Sequence, residues 1–134
     1  MKLEKKKNKN FLLVSVLFLL SAFILLIFST STSPLYKNYY EDDSSIFIVI
    51  GKAIKSGFIP YKEIFDHKGP VLFLIETVGQ YIFEGRLGIF IIQTILLTIT
   101  NYFLFKIAQL FCDKKKSMFS VLFSMSIFVC FFEE

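Results

Sequence analysis

The chain has 134 residues, 54% hydrophobic and 18% aromatic, with 18 Phe, no Trp and a net charge of +4. A mean hydropathy of +0.62 is far above that of a soluble domain and makes membrane the first class to test. The positive charge is concentrated in two blocks, Lys2, Lys5, Lys6, Lys7 and Lys9, then Lys114, Lys115 and Lys116. Each block flanks an apolar run, so the positive-inside rule explains it better than a nucleic-acid partner does.

Residues 1–10 read as a basic cytoplasmic N-terminus. Phe11–Phe28 follows with only Ser15 and Ser21 as polar residues, and as a helix it reaches about 27 Å, close to the hydrocarbon thickness. It is longer than the apolar core of a signal peptide, so an uncleaved anchor is expected. Residues 29–86 then form a non-cytoplasmic loop. It opens on a Ser/Thr-rich stretch in which Pro34 stops the helix and Tyr36, Tyr39 and Tyr40 suit the membrane–water boundary.

Within that loop, residues 43–56 are expected to form an amphipathic helix. Ile46, Val49, Ile50, Ala53 and Ile54 share one face, Ile48 falls near the polar side, Asp42 or Asp43 supplies the N-cap and Gly57 the stop. Pro60 and Pro70 prevent regular structure between Phe58 and Pro70. A second surface helix follows at 71–83, too short to span and made polar by Glu76, Thr77 and Gln80. Residues 87–111 form the second span, 112–117 a cytoplasmic loop, and 118–132 a short third span. The expected fold class is therefore an all-α membrane protein with about three transmembrane helices and two juxtamembrane helices. The shortness of the last span suggests the N-terminal part of a longer protein. The two cysteines, Cys112 and Cys130, have neither the spacing nor the setting of a disulfide or zinc site.

Two charged clusters carry the candidate chemistry. Glu41, Asp42 and Asp43 lie just outside the first span, where one carboxylate can cap a helix and a second can act as a general base. Asp66, His67 and Lys68 precede Gly69-Pro70, and the lysine can meet an anionic group at headgroup level. One histidine and scattered carboxylates do not make a metal-ligand set. No phosphate-binding glycine loop and no hydrolase triad occurs.

The order of these features resembles the N-terminus of the GT-C superfamily of membrane glycosyltransferases. The likeness is greatest to glycosyltransferase family 39-like proteins, relatives of protein O-mannosyltransferases and the aminoarabinose transferase. It is carried by Asp43-Ser44-Ser45, the Gly57-x-x-Pro60-Tyr61 element and Lys68-Gly69-Pro70. The resemblance implies an inverting transfer of a sugar from a polyprenyl-phosphate donor to an unknown acceptor at the outer face of a bacterial plasma membrane. Asp43, with Asp42 as rival, would be the catalytic base, and Lys68, with His67, Asp66 and Tyr61, would bind the donor. No cofactor is implied, although a divalent metal beside the donor phosphate stays compatible with the residues. The alternatives from other classes are a non-catalytic small membrane protein or accessory subunit, and a lipid-linked sugar transporter fragment. The clustering of charge in the loop rather than in the spans weighs against transport.

Overall fold

The computed structural model describes residues 2–36 and 42–131, with side chains at 10–36 and 43–127. Those residues are all-helical, in the order α1 (Lys2–Phe28), α2 (Asp42–Lys55), α3 (Pro70–Ile82), α4 (Arg86–Ala108) and α5 (Lys114–Phe131), with no strand among them. Two helical stretches, Asn10–Phe28 and Arg86–Ala108, are long and apolar enough to cross a membrane. α5 does not reach that standard, because its first turn consists of Lys114, Lys115 and Lys116.

The chain divides into two compact units. The first comprises residues 1–28 and 94–134 and contains α1, most of α4 and α5. Its core is Leu17, Phe105, Val121 and Met125, with Leu13, Leu20, Ile24, Tyr102, Leu104 and Met118 packed around them. Polar residues join that interior: Ser21, Thr98, Asn101 and Ser117 are buried, and the Asn101 amide reaches the Ser21 hydroxyl at 3.5 Å. Thr98 returns its hydroxyl to the Thr94 carbonyl at 2.7 Å and Ser117 to the Asp113 carbonyl at 3.0 Å, which satisfies each without a partner helix. Phe11, Leu19, Phe23, Ile99, Phe103, Phe119 and Phe123 are exposed.

The second unit comprises residues 29–93. Its first segment is held by hydroxyls: Ser29 and Thr32 are hydrogen-bonded at 2.6 Å, and Thr32 donates to the Gln93 side-chain oxygen at 2.6 Å. Its centre is the α2–α3 pair. Gly51 of α2 lies so close to α3 that a Cβ there would sit 2.9 Å from the Glu76 carbonyl carbon. One turn further along both helices, Lys55 Nζ donates to the Gln80 carbonyl at 2.9 Å. Positions 51 and 55 thus match 76 and 80 in the same order, so α2 and α3 run parallel. α2 is about 21 Å long, and the connection 56–69 covers that distance backwards in irregular chain.

The ends of both helices follow from local sequence. Gly57, at φ 99°, closes α2 in a Schellman motif, with Phe58 N–H donating to the Ala53 carbonyl at 3.1 Å and Gly57 N–H to the Ile54 carbonyl at 2.9 Å. Pro70 opens α3 at its first position, where a missing N–H costs nothing. Parallel neighbours place two negative helix ends side by side, and Lys55 offsets this by bonding the last turn of α3.

One expectation for α2 holds only in part. Ile48 is 5% exposed whereas Val49 is 64% exposed, and Ile46 is also open. The close approach at Gly51 decides the register, bringing the side of α2 that carries Ile48 and Lys55 against α3. Of the expected apolar face, Ile46 and Val49 are left outward, while Ile50 is buried and Ala53 and Ile54 are half-buried.

Candidate functional site

The connection 56–69 and the helix starts beside it hold the residues singled out above. Its backbone is organised by its own side chains. Glu63 accepts the Ile59 N–H at 2.7 Å, and Asp66 accepts the Lys68 N–H at 2.9 Å in a two-residue Asx turn. Tyr61 donates its hydroxyl to the Lys68 carbonyl at 2.6 Å. Tyr61 has a positive φ of 64°, a conformation costly for an aromatic residue and retained here by the Tyr61 N–H to Ile64 carbonyl bond of 2.7 Å. Its ring also packs on Phe73 of α3, with centroids 5.6 Å apart.

Tyr61, Asp66 and Lys68 are therefore brought together, but chiefly through their backbones. The Lys68 ammonium lies over the Phe47 ring, 5.8 Å from its centroid. His67 Nδ1 is 3.5 Å from Asp66 Oδ1 with most of its ring exposed. Asp43 is an exposed residue of the first turn of α2 rather than its cap, four positions before Phe47 on the same helical face. Glu41, Tyr39, Tyr40 and the Asp42 side chain lie outside the described residues. Among those described, no three His, Cys, Asp or Glu side chains approach closely enough to hold a metal ion.

While these side chains hold the loop, its apolar residues face out. Phe58, Ile59 and Phe65 are exposed, the last by 84%. The same holds on α3, where Phe73, Glu76, Thr77 and Gln80 are buried while Val71, Leu74, Val78, Tyr81 and Ile82 are exposed. Phe73 apart, the side chains turned inward are polar and those turned outward are apolar. Gln80, 0% exposed, uses both ends of its amide on one residue, donating to the Gly85 carbonyl at 3.1 Å and accepting its N–H at 2.7 Å. That clamp fixes the short turn into α4, where Gly79 and Gly88 pass without room for a Cβ on either. Arg86 then donates to the Tyr36 carbonyl.

Glu76 is a residue that sequence reasoning passed over as mere polarity. It is 7% exposed, and its Oε2 has no hydrogen-bond partner among the described residues. Burial pushes its carboxyl up to about 7. The available signal was its spacing: positions 73, 76, 77 and 80 form one helical stripe.

Comparison with known proteins corrects the glycosyltransferase expectation. The family model described as "Putative competence-induced protein Ccs4 N-terminal domain" matches residues 3–132. No curated protein and no solved structure matches the chain. The resemblance to GT-C enzymes rested on short elements, whereas the family match runs through nearly the whole chain. The structure explains how such elements mislead: Gly57 is needed for a left-handed helix stop, Pro70 for a helix start and Asp66 for a turn. Local backbone chemistry selects those residue types at helix ends and turns whatever the protein. Sugar transfer from a polyprenyl-phosphate donor falls with that resemblance, and the Asp43 base and Lys68 donor roles lose the support it gave them.

Proposed function

This chain belongs to the competence-induced Ccs4 N-terminal domain family, and we propose that it is a non-catalytic integral membrane protein whose second unit is a docking element at the outer surface. The observation that carries the reading is the inverted distribution of polarity. Ser21, Thr98, Asn101, Glu76 and Gln80 are inside, and a broad surface of Phe, Leu, Ile and Val is outside. Only 17% and 28% of the two long apolar stretches are buried, unlike the core helices of a water-soluble protein. Small and hydroxylated residues at helix contacts, with apolar residues facing away, suit a lipid solvent.

In this reading α1 and α4 cross the bilayer, and the apolar part of α5 begins a third span. Both lysine blocks lie on the cytoplasmic side and residues 29–86 on the outside. α3 packs through Gly79 on Gly88, in the first turn of α4, and that turn is where a span leaves the hydrocarbon. Its exposed stripe of Val71, Leu74, Val78 and Ile82 therefore lies in the lipid boundary. The connection 56–69, ordered and bearing Phe58 and Phe65, is the surface offered to a partner. The family name ties production of such proteins to competence.

Topology labelling tests this. In intact cells a membrane-impermeant maleimide is expected to label Phe65→Cys, and Cys112 only after permeabilisation. Alkaline carbonate should leave the chain in the membrane pellet. Release by carbonate, or labelling of Cys112 in intact cells, would reject the reading.

A further inference from the structure

Burying a carboxyl group is costly unless it is paired or neutral. Glu76 is not paired in any described contact. Its Oε2 lacks a hydrogen-bond partner among the described residues, and the described ion pairs are Lys55–Glu84 and Asp66–His67. The charged groups of every element around it have other positions or partners. On α2, Asp43 and Lys52 are exposed, and Lys55 Nζ is taken by the Gln80 carbonyl and Glu84, each at 2.9 Å. From the start of α4, Arg86 donates to the Tyr36 carbonyl. In the connection, Glu63 accepts the Ile59 N–H, Asp66 the Lys68 N–H, and Lys68 Nζ lies over Phe47. Lys62 is exposed, as is His67. The titratable neighbour on α3 itself, Tyr81, is exposed beneath Lys55.

Space is equally restricted. Gly51 of α2 passes the backbone of Glu76 at a distance where even one added carbon would crowd it. A metal ion takes several oxygen ligands, and no acidic or histidine cluster stands near enough to supply them among the described residues. A single buried carboxyl without companions can hold one ligand, a proton.

We propose that Glu76 is a proton-binding site that governs the α2–α3 pair, closed when the proton is bound and loosened when it leaves. The protonated acid is neutral and fits the tight contact at Gly51, where its Oε2 finds no partner among the described residues. The carboxylate is an uncompensated charge there and draws water between the helices. The direction follows from linkage. Burial raises the folded carboxyl from 4.5 to about 7, so the closed pair binds more protons than the open one across that interval. Closure therefore weakens as pH rises through the interval and is constant above it.

The test uses the full chain in detergent micelles, so it does not depend on whether the chain spans a bilayer. Dicyclohexylcarbodiimide, an apolar reagent for protonated carboxyls, is added between pH 6 and pH 9 and adducts are located by mass spectrometry. Adduct at Glu76 is expected at pH 6, with the modification rate falling about tenfold per pH unit above its midpoint near 7. Amide hydrogen exchange in α2 and α3, corrected for intrinsic rates, should be faster at pH 9 than at pH 6, and Glu76→Gln should remove that difference. No adduct at pH 6, equal adduct at both pH values, or an unchanged exchange difference in Glu76→Gln would overturn the proposal. The labelling arm needs no variant and stands if Glu76→Gln fails to fold.

Discussion

The two units solve the same problem, burying polar side chains among helices, by different means. In the first, Thr98 and Ser117 bond back to their own helices, and Asn101 meets Ser21 through one long contact. Thr98 and Ser117 keep their partners when a neighbouring helix departs, and only the long Asn101–Ser21 contact is lost. In the second, Lys55 and the glycines at 51, 79 and 88 make contacts that exist only when the elements are together, and Gln80 clamps the turn between α3 and α4. Packing in the first unit is tolerant, whereas in the second it is steric and specific.

Substitution of the close-approach glycines is expected to break this contrast most. Gly51→Leu or Gly88→Leu should disrupt the second unit by about 1–3 kcal/mol or more, since rigid backbone stands where the side chain must go. Loss of exchange protection in α2 and α3, with α1 and α5 protection unchanged, is the expected signature. Next comes Gln80→Leu, which strands both the N–H and the carbonyl of Gly85 and should cost about 1–3 kcal/mol in thermal unfolding of the same unit. Tyr61→Phe removes one hydrogen bond from the connection and is expected to cost about 1 kcal/mol or less. Its effect should appear as faster proteolysis between Gly57 and Pro70. Asn101→Leu tests the tolerant unit, where about 0.6 kcal/mol is the usual worth of an interhelical polar contact in a membrane protein. The smallest effect belongs to Glu84→Gln, for which an unchanged melting temperature is expected. The Glu84 carboxyl is held below its ordinary range by Lys55, but it is fully exposed, and solvent screens the pair. A Glu84→Gln change as large as that of Gly51→Leu would show that the second unit is electrostatically rather than sterically held.

Much of the fold was legible because helices announce themselves locally. The apolar run after Lys9, the Gly57 stop and Pro70 at a helix start are signals complete within a few residues. The site was less legible. The acidic and basic clusters drew attention because charge near a membrane suggests chemistry, yet Asp66 and Tyr61 prove to fold the connection, and Lys68 rests on an aromatic ring. Glu76 was visible only as a residue that made a helix too polar to span. How far α2 is rotated could not be read from its apolar count, because Gly51 brings Ile48 in beside Ile50 and leaves Ile46 and Val49 out.

The sequence by itself determined the all-helical class, the two long apolar helices and where the chain must turn, since composition, lysine blocks, glycine and proline act over one or two helical turns. Tertiary structure decided the parallel course of α2 and α3, the outward apolar stripes and the burial of an unpaired carboxyl. These depend on how closely two backbones approach at Gly51 and Gly79, a distance that no single stretch of sequence encodes.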